Sequence, residues 1–165
     1  MKKRSLLFTL GISSLVMLSA CGTAGADSKG KEEKAVSKDP VTIEYWHVNA
    51  DTQGGKTVTQ LVDDYNQSQD KVKVVAKFNP DMYKGLMQNL QASVASNTTP
   101  DVVQVGWAFK DYFSENFEYT DPEKLVKEVS PDESNYFKEI FLDNIMNIEK
   151  KEDGYVGIPY SISNP

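Results

Sequence analysis

The sequence predicts an α/β fold in which a doubly wound parallel sheet is flanked by helices. From residue 41 onward, strand-like segments alternate with helix-like segments in the order β-α-β-α-β-α. The third strand-like segment, residues 101–106, is a nearly continuous apolar run, which is typical of a parallel strand covered on both faces. Strands and helices that alternate in this way connect through right-handed crossovers and build a parallel sheet with helices on its faces.

The first strand is predicted at residues 41–46, where β-branched and aromatic side chains alternate between two faces. A polar loop, residues 47–55, follows it and ends in two glycines. The next helix has its apolar residues at helical spacing, which places them on one face. The second strand is predicted at residues 72–78. The apolar positions of the helix between the two strands are Val58, Leu61, Val62 and Tyr65.

Residues 79–81 break the second strand, and Asp81 is placed to cap the helix that follows. That helix carries an apolar face and ends at residues 97–100. After the strand at 101–106, residues 107–113 are predicted to turn into a helix. The apolar face of the helix after Asp81 comprises Tyr83, Leu86, Met87, Leu90 and Val94. The inward residues of the helix at 107–113 are Phe109, Tyr112 and Phe113.

The remainder is predicted to be more helical. A short helix begins at Asp121-Pro122, and Ser130–Glu133 matches a capping box with proline at the first helical position. Asp153-Gly154 is a type I′ turn signal, so residues 155–158 should return as the second arm of a hairpin. The helix that begins at Asp121-Pro122 carries Leu125, Val126 and Val129. The helix after Ser130 carries Phe137, Ile140, Phe141, Ile145 and Ile148 on one face.

The N-terminus has the features of a secretory signal. Three cations precede thirteen largely apolar residues, 6–18, a run too short to span a bilayer, which needs about 20 residues. Leu18-Ser19-Ala20-Cys21 resembles the lipobox of bacterial lipoproteins, in which the cysteine is acylated and the chain is cut before it. Residues 1–20 are therefore predicted to be a lipoprotein signal peptide. The alternative is an ordinary signal peptide with an incidental cysteine.

Residues 21–40 are predicted to be the lipidated cysteine and a flexible linker. The segment 22–40 has no aromatic residue and, in Val36, one aliphatic side chain larger than alanine. Such a segment cannot bury enough apolar area to offset its ordering entropy. Diacylglycerol and N-acyl lipid on Cys21 are the only covalent groups expected, and no cofactor is predicted.

Charge and composition exclude several classes of function. Removal of residues 1–20 leaves 15 basic and 24 acidic residues, a net charge of −9, which disfavours nucleic acid as a partner. The single histidine, His47, and the single cysteine make a zinc site improbable and leave no disulfide. The one arginine makes bidentate phosphate or carboxylate clamps improbable as well.

Residues 41–165 are predicted to form one folded unit that is only part of a domain. The last residues, 159–165, form neither a polar tail nor a helix that would cover a sheet edge. We therefore expect them to belong to the front part of a longer protein. A naturally short chain is the alternative, since termini are often poorly ordered.

The running order of motifs resembles one family. After the lipobox and linker come Tyr45-Trp46-His47, a Gly-Gly loop before a helix, Thr99-Pro100-Asp101-Val102-Val103, and Gly157-Ile158-Pro159. This order is similar to that of family-1 solute-binding lipoproteins of carbohydrate ABC importers, the group that includes maltose-binding proteins. The resemblance implies a type II periplasmic-binding-protein-like fold with two α/β lobes around a ligand cleft. It also implies that residues 41–165 are most of the first lobe.

The candidate ligand-binding residues follow the carboxyl ends of the predicted strands, where open α/β sheets bind ligands. Sugars present C–H faces for stacking and hydroxyls for hydrogen bonds. In maltose-binding relatives the aromatic position that matches Trp107 contacts sugar. The candidates for stacking are Trp46, Tyr83, Trp107 and Tyr160, and the polar candidates are His47, Asn49, Asp51, Asp81 and Ser161.

Several of these residues also have a purely structural interpretation. In that interpretation Trp46 and Tyr83 pack in the core, Asp81 caps its helix, and His47 only makes a hydrogen bond at a strand end. The Gly54-Gly55 pair either lets backbone N–H groups approach a ligand or makes a turn.

The predicted function is capture of an extracellular sugar or oligosaccharide and its delivery to membrane permease subunits, with no bond chemistry. The protein would be lipid-anchored at the extracytoplasmic face of the cell membrane. The first alternative is a surface-anchored glycosidase, for which Asp51 and Asp81 would be the carboxylates. The second alternative is a lipoprotein that binds a protein or cell-wall partner.

Overall fold

The computed structural model describes residues 39–152 and 154–162. The predicted signal peptide, Cys21 and all but the last two residues of the predicted linker lie outside the described residues, as does Asp153.

A three-stranded parallel sheet forms the centre of the described chain. It consists of β1 (Val41–His47), β2 (Val72–Phe78) and β3 (Val102–Val103), in the order β2-β1-β3. β1 and β2 pair along their whole length, from Val41 opposite Val72 to His47 opposite Phe78. β3 pairs only with Tyr45 and Trp46.

The two crossovers confirm the doubly wound α/β prediction. Helix α1 (Gly55–Ser68) connects β1 to β2, and α2 (Met82–Ser96) connects β2 back across the sheet to β3. Because the two connections run in opposite directions across the sheet, right-handed crossovers place α1 and α2 on opposite faces. Trp46 and Val48 pack against the α2 side, and the alternate residues Tyr45 and His47 point to the other face.

The buried core lies between α2, β1 and the segments after β3. Leu86 of α2 is completely buried, so its truncation to alanine is expected to cost about 2–5 kcal/mol. The buried members of this cluster are Trp46, Val48, Leu86, Met87, Leu90, Phe113 and Val156.

The other face of the sheet is less covered than the sequence predicted. On α1, Val58 is buried, but Leu61 and Tyr65 of the same apolar stripe are exposed. The expectation that the third strand is covered on both faces is wrong, because β3 is two residues long and Val102 is 49% exposed. β3 is an edge of the described sheet, and α1 packs mainly over β2.

After β3 the chain turns through a 3₁₀ helix, Trp107–Phe109, into α3 (Lys110–Asn116) and then α4 (Pro122–Val129). Phe113 is buried and Phe109 packs against the core, as predicted. Tyr112 was expected to point inward but is 40% exposed. The short helix predicted to begin at Asp121-Pro122 forms as α4. Asp121 caps it, since its Oδ1 accepts hydrogen bonds from the N–H groups of Glu123 and Lys124.

The prediction of a single helix after Ser130 is wrong. Residues Pro131–Glu133 form a 3₁₀ turn without a side-chain cap from Ser130, followed by two short helices, α5 (Tyr136–Ile140) and α6 (Asp143–Met146). Phe137 and Met146 are both buried. Because they are nine residues apart, Phe137 and Met146 would lie on opposite sides of a continuous helix. The extended backbone between α5 and α6 lets both side chains reach the interior.

The predicted hairpin forms, but its turn lies one residue earlier. A 3₁₀ turn, Asn147–Glu149, leads into β4 (Lys150–Lys151), which pairs antiparallel with β5 (Gly154–Tyr155). Lys151 lies opposite Gly154, so residues 152 and 153 connect the strands and Gly154 belongs to the second strand. Within the described ranges, no helix combines the length and apolar character that a membrane crossing requires.

Candidate ligand-binding site

The carboxyl ends of the three parallel strands are tied together at one edge of the sheet. The N–H of Asn79, after β2, donates to the carbonyl of His47 at 2.7 Å. After β3, the N–H of Gln104 donates to the carbonyl of Trp46 at 2.9 Å, and its side-chain Oε1 accepts from the N–H of Val48 at 3.0 Å. Gln104 thus adds hydrogen bonds beyond the last pair of β1 and β3. The loops that follow the three strands therefore start from backbone positions that hydrogen bonds hold in place.

Trp107 stands at this edge as the most exposed large apolar side chain in the described structure, with 83% of its surface open. It follows Gly106, whose Cα is covered by the ring of Tyr83 at the start of α2. A Cβ at position 106 would lie 2.7 Å from two ring carbons, so only glycine allows this contact. Two of the predicted aromatic candidates are therefore brought side by side, one partly buried and one open.

The phenols of Tyr45, Tyr83 and Tyr160 lie close enough to influence one another electrostatically. Burial raises the pKa of Tyr45 to about 12, with further contributions from the phenols of Tyr160 and then Tyr83. Burial and the neighbouring Tyr160 also raise the pKa of Tyr83. Within the described ranges none of the three hydroxyls has a hydrogen-bond partner. The phenols of Tyr45 and Tyr83 are therefore uncharged at neutral pH, and all three hydroxyls can donate and accept hydrogen bonds with a ligand.

His47 is buried at the end of β1. Its Nδ1 accepts a hydrogen bond from the N–H of Asn49 at 3.3 Å, and its ring lies 5.6 Å from that of Tyr45 and 6.0 Å from that of Phe78. Burial lowers the pKa of the imidazole, which keeps it neutral with Nδ1 as acceptor. These contacts favour a positioning role for His47, in which it orients Tyr45 and the start of the loop.

The loop after β1 is folded tightly against the start of α1. Asn49 Nδ2 donates to the carbonyl of Gln53 at 3.0 Å, while its buried Oδ1 has no partner among the described residues. A Cβ on Gly55 would lie 2.7 Å from the carbonyl oxygen of Asn49, and Gly54 has a φ of 90°. The two glycines therefore make a turn here, and Asp51 remains exposed on its outer side.

Asp81 occupies the N-cap position of α2, but its side chain makes no capping hydrogen bond. Both Asp81 and Met82 have positive φ, and a Cβ on Gly85 would lie 2.3 Å from the carbonyl oxygen of Pro80. This sharp turn directs the carboxylate away from the helix amides. The predicted cap is wrong, and Asp81 stays exposed at the edge.

Trp46 points to the opposite face from Tyr45 and is 4% exposed. Its indole Nε1 donates to Glu44, and Lys77 Nζ lies 4.6 Å from the centre of its ring. Lys77 and Glu44 also form an ion pair at 3.8 Å. These contacts favour the core role for Trp46, beside a groove of about 490 Å³ between α2 and β2.

The remaining candidates differ in how open they are. Tyr160 is 58% exposed, and Ser161 is exposed beside it.

Tyr45 was predicted only as a strand residue. The alternation of Tyr45 with Trp46 could have indicated its position. When one residue of a strand faces the core, the next residue faces the other side of the sheet. No group of His, Cys, Asp or Glu able to hold a metal ion occurs within residues 39–152 and 154–162.

No protein-family model matches the chain, and no curated protein matches it in sequence. Solved structures do match its fold. The galacto-N-biose/lacto-N-biose I-binding protein of an ABC transporter from Bifidobacterium longum, in complex with lacto-N-biose, has a TM-score of 0.56 and 20% identity. A family-1 extracellular solute-binding protein from Alicyclobacillus acidocaldarius has a TM-score of 0.54 and 15% identity. A periplasmic solute-binding protein from Pectobacterium atrosepticum has a TM-score of 0.53 and 16% identity.

These matches confirm that the fold is that of the α/β solute-binding proteins. They cover 71–73% of this chain. The chain spans only about a quarter of their length, 27% of the first and third proteins and 28% of the second.

Proposed function

We propose that this chain belongs to the substrate-binding component of an ABC importer and captures an extracellular sugar or oligosaccharide for a membrane permease. The observation that carries this proposal is the group of aromatic side chains at the carboxyl edge of the sheet. Trp107 is open there, beside Tyr83, and the phenols of Tyr45 and Tyr160 lie nearby. The fold is shared with a protein solved with lacto-N-biose bound, which supports the proposed ligand class.

The chemistry of this edge suits a neutral, hydroxyl-rich ligand. The exposed indole of Trp107 provides a flat surface for the C–H face of a sugar ring. The three phenols can exchange hydrogen bonds with sugar hydroxyls, and burial raises the pKa of Tyr45 and Tyr83, which keeps those two uncharged at neutral pH. Asn49, Asp51, Asp81 and Ser161 on the surrounding loops can supply further polar contacts.

Binding without bond cleavage is the activity we propose. A glycosidase needs one carboxyl group kept protonated, which usually requires burial, opposite a second carboxylate. Asp51 and Asp81 are both exposed, on loops that follow different strands. We therefore place them as polar ligand contacts. Closure of a second lobe over the ligand would report occupancy to the permease.

Attachment to the membrane follows from the lipobox-like sequence. Diacylglycerol and an N-acyl chain on Cys21 would hold the protein at the extracytoplasmic face, since a single acyl chain binds only marginally. The linker to residue 40 would then let the binding domain reach both ligand and permease. Replacement of Cys21 by alanine should release the protein into the medium. Continued membrane association of that variant would contradict the proposed lipid anchor at Cys21.

Calorimetry with the product of the complete gene tests the binding proposal. A panel of mono-, di- and oligosaccharides should contain at least one ligand, and incubation over hours should yield no hydrolysed sugar. Trp107→Ala should weaken that binding at least tenfold, which corresponds to about 1.4 kcal/mol. The matched control is Tyr136→Ala, which removes an exposed aromatic of α5 and should leave affinity unchanged. Release of product, or equal affinity of Trp107→Ala and the parent, would overturn the proposal.

A further inference from the structure

The crevice between β1 and β3 is the topological switch point of the described sheet. β1 continues into α1, which packs mainly over β2, whereas β3 continues into α3, whose Phe113 belongs to the core on the α2 side. The chain therefore leaves these two neighbouring strands toward opposite faces of the sheet. In open α/β sheets a ligand binds in the crevice outside the carboxyl ends of two strands that diverge in this way.

Gln104 lies at this crevice, directly after β3, and it is only 8% exposed. Its backbone N–H donates to the carbonyl of Trp46 at 2.9 Å. In a regular parallel ladder the backbone carbonyl of Gln104 would then accept from the N–H of Val48. The side-chain Oε1 accepts that hydrogen bond instead, at 3.0 Å. The backbones of β1 and β3 therefore part at Gln104, and its side-chain amide lies between them.

The hydrogen bond with Val48 fixes the orientation of this amide. Because the backbone N–H of Val48 is a donor, the atom that it meets is the amide oxygen, and the NH2 group of Gln104 lies on the other side. Within residues 39–152 and 154–162 this NH2 group has no hydrogen-bond partner, and its nitrogen keeps contact with solvent. Gln104 thus holds an uncharged donor at the carboxyl ends of β1 and β3, in an orientation that the backbone sets.

The neighbours of Gln104 along the chain belong to the candidate site. Val48 leads directly into the loop that carries Asn49 and Asp51, and Trp107 follows Gln104 in the same segment. A glutamine that only tied β1 to β3 would be expected to have its donor paired as well, because buried polar groups in folded proteins almost always have partners. A ligand in the crevice would supply the missing acceptor.

We propose that Gln104 is a ligand-contacting residue, and that its Nε2 donates a hydrogen bond to a hydroxyl oxygen of a sugar bound between the ends of β1 and β3. This role rests on the sugar-binding function proposed above. The phenols of the site can rotate their O–H groups and act as donor or acceptor, whereas the NH2 group of Gln104 can only donate. Gln104 would therefore favour a neutral sugar with a hydroxyl at that position over an analogue that lacks it.

A double-mutant cycle between protein and ligand tests this contact in the complete gene product. Calorimetry compares the bound sugar with its monodeoxy analogues on the parent and on Gln104→Met, whose side chain has a similar length and no amide. On the parent, one analogue should bind about three- to tenfold more weakly than the sugar. On Gln104→Met that difference should shrink to less than about twofold. The matched control Gln91→Met, at an exposed glutamine of α2, should keep the full difference.

A purely structural role of Gln104 predicts another pattern. Loss of the tie to Val48 alone would lower the affinity for the sugar and for all analogues by the same factor, and that result would refute the contact while leaving the sugar-binding function in place. A parent that binds no sugar of the panel would refute both.

NMR of the parent decides the question if Gln104→Met does not fold. The side-chain NH2 resonances of Gln104 should move when the sugar saturates the protein, while those of Gln91 should stay in place. Resonances of Gln104 that do not move at saturation would overturn the proposal.

Discussion

The ring of Tyr83 lies directly on the Cα of Gly106, and this contact joins the start of α2 to the end of the β3 segment. A Cβ at position 106 would stand 2.7 Å from Cγ and Cδ2 of the ring and 3.1 Å from Cδ1. Because Trp107 is the next residue, the same contact fixes the backbone from which the most exposed aromatic of the site projects. Gly106 is thus a packing requirement of the candidate site.

Gly106→Ala should disturb this contact. The added methyl group meets the rigid ring of Tyr83, so we expect a loss of about 1–3 kcal/mol in the free energy of unfolding. Sugar affinity of the complete gene product should fall as well, because both aromatics shift. The control is Gly157→Ala, where a Cβ has no neighbour within 4 Å. Urea unfolding and calorimetry measure the two effects, and a neutral Gly106→Ala variant would contradict the packing role.

The two tryptophans should respond differently to truncation. Trp46→Ala empties a core position that is 4% exposed and should cost about 3–5 kcal/mol of folding free energy. Trp107→Ala removes an 83% exposed side chain and should change stability by less than about 0.5 kcal/mol. Since the chain has only two tryptophans, the fluorescence of Trp46→Phe reports on Trp107 alone. Its emission should be that of a solvated indole, and strong shielding from acrylamide would contradict the exposure.

Asp121 connects α4 with the hairpin. Its Oδ1 accepts from the N–H of Glu123 at 2.8 Å, and its Oδ2 accepts from the N–H of Tyr155 at 3.3 Å. Asp121→Ala removes both contacts and should cost about 1–2 kcal/mol. Asp121→Asn keeps an acceptor for the cap and should recover part of that loss. Chemical denaturation of both variants measures the difference, and equal stability of alanine and asparagine would argue against the capping contribution.

His47 should make stability depend on pH in a mildly acidic range. Burial lowers the pKa of the imidazole, so the folded protein binds this proton less tightly than the unfolded chain, whose histidine titrates near 6.5. The stabilising contribution is therefore complete above about pH 6.5 and is lost as the pH falls from there through the lower folded pKa. NMR of the single histidine gives the folded pKa directly. The His47→Phe variant should lack this part of the pH dependence.

The His47 prediction fails if the histidine resonance titrates at or above 6.5. It also fails if the parent and His47→Phe lose stability in parallel between pH 7.5 and pH 5.5. Measurements in this range keep most carboxylates ionised, so their protonation does not hide the effect.

Local patterns predicted the first half of the fold well and the second half less well. Along residues 41–96 the two strands and the helices α1 and α2 are 7 to 15 residues long, and each has a clear period of 2 or 3.6, so these elements and their order follow from the sequence. Between residues 130 and 149 the helices are three to five residues long. Helices so short depend on tertiary packing, here the burial of both Phe137 and Met146, and local spacing cannot show it.

The ligand-binding residues remain a prediction. Topology alone brings the carboxyl ends of parallel strands to one edge, so Trp107, Tyr160 and the polar loop residues could be proposed from the sequence. The structure added Tyr45 and Gln104, and it assigned Trp46 to the core. The capping contact expected of Asp81 did not form, because two successive residues with positive φ turn the chain sharply before α2.

The sequence by itself determined the alternating strands and helices and the parallel sheet, because side-chain periodicity and crossover handedness are local or topological properties. It also predicted the edge at which a ligand would bind. Only the tertiary structure decided which aromatics are buried and which are open. It also decided which glycines permit a close contact, and that the side-chain amides of Asn66 and Gln69 bond to the backbone of Val74 and Val72 in β2. Those features depend on distances between residues that are remote along the chain or turned toward one another by loops, and no pattern of residue types specifies such distances.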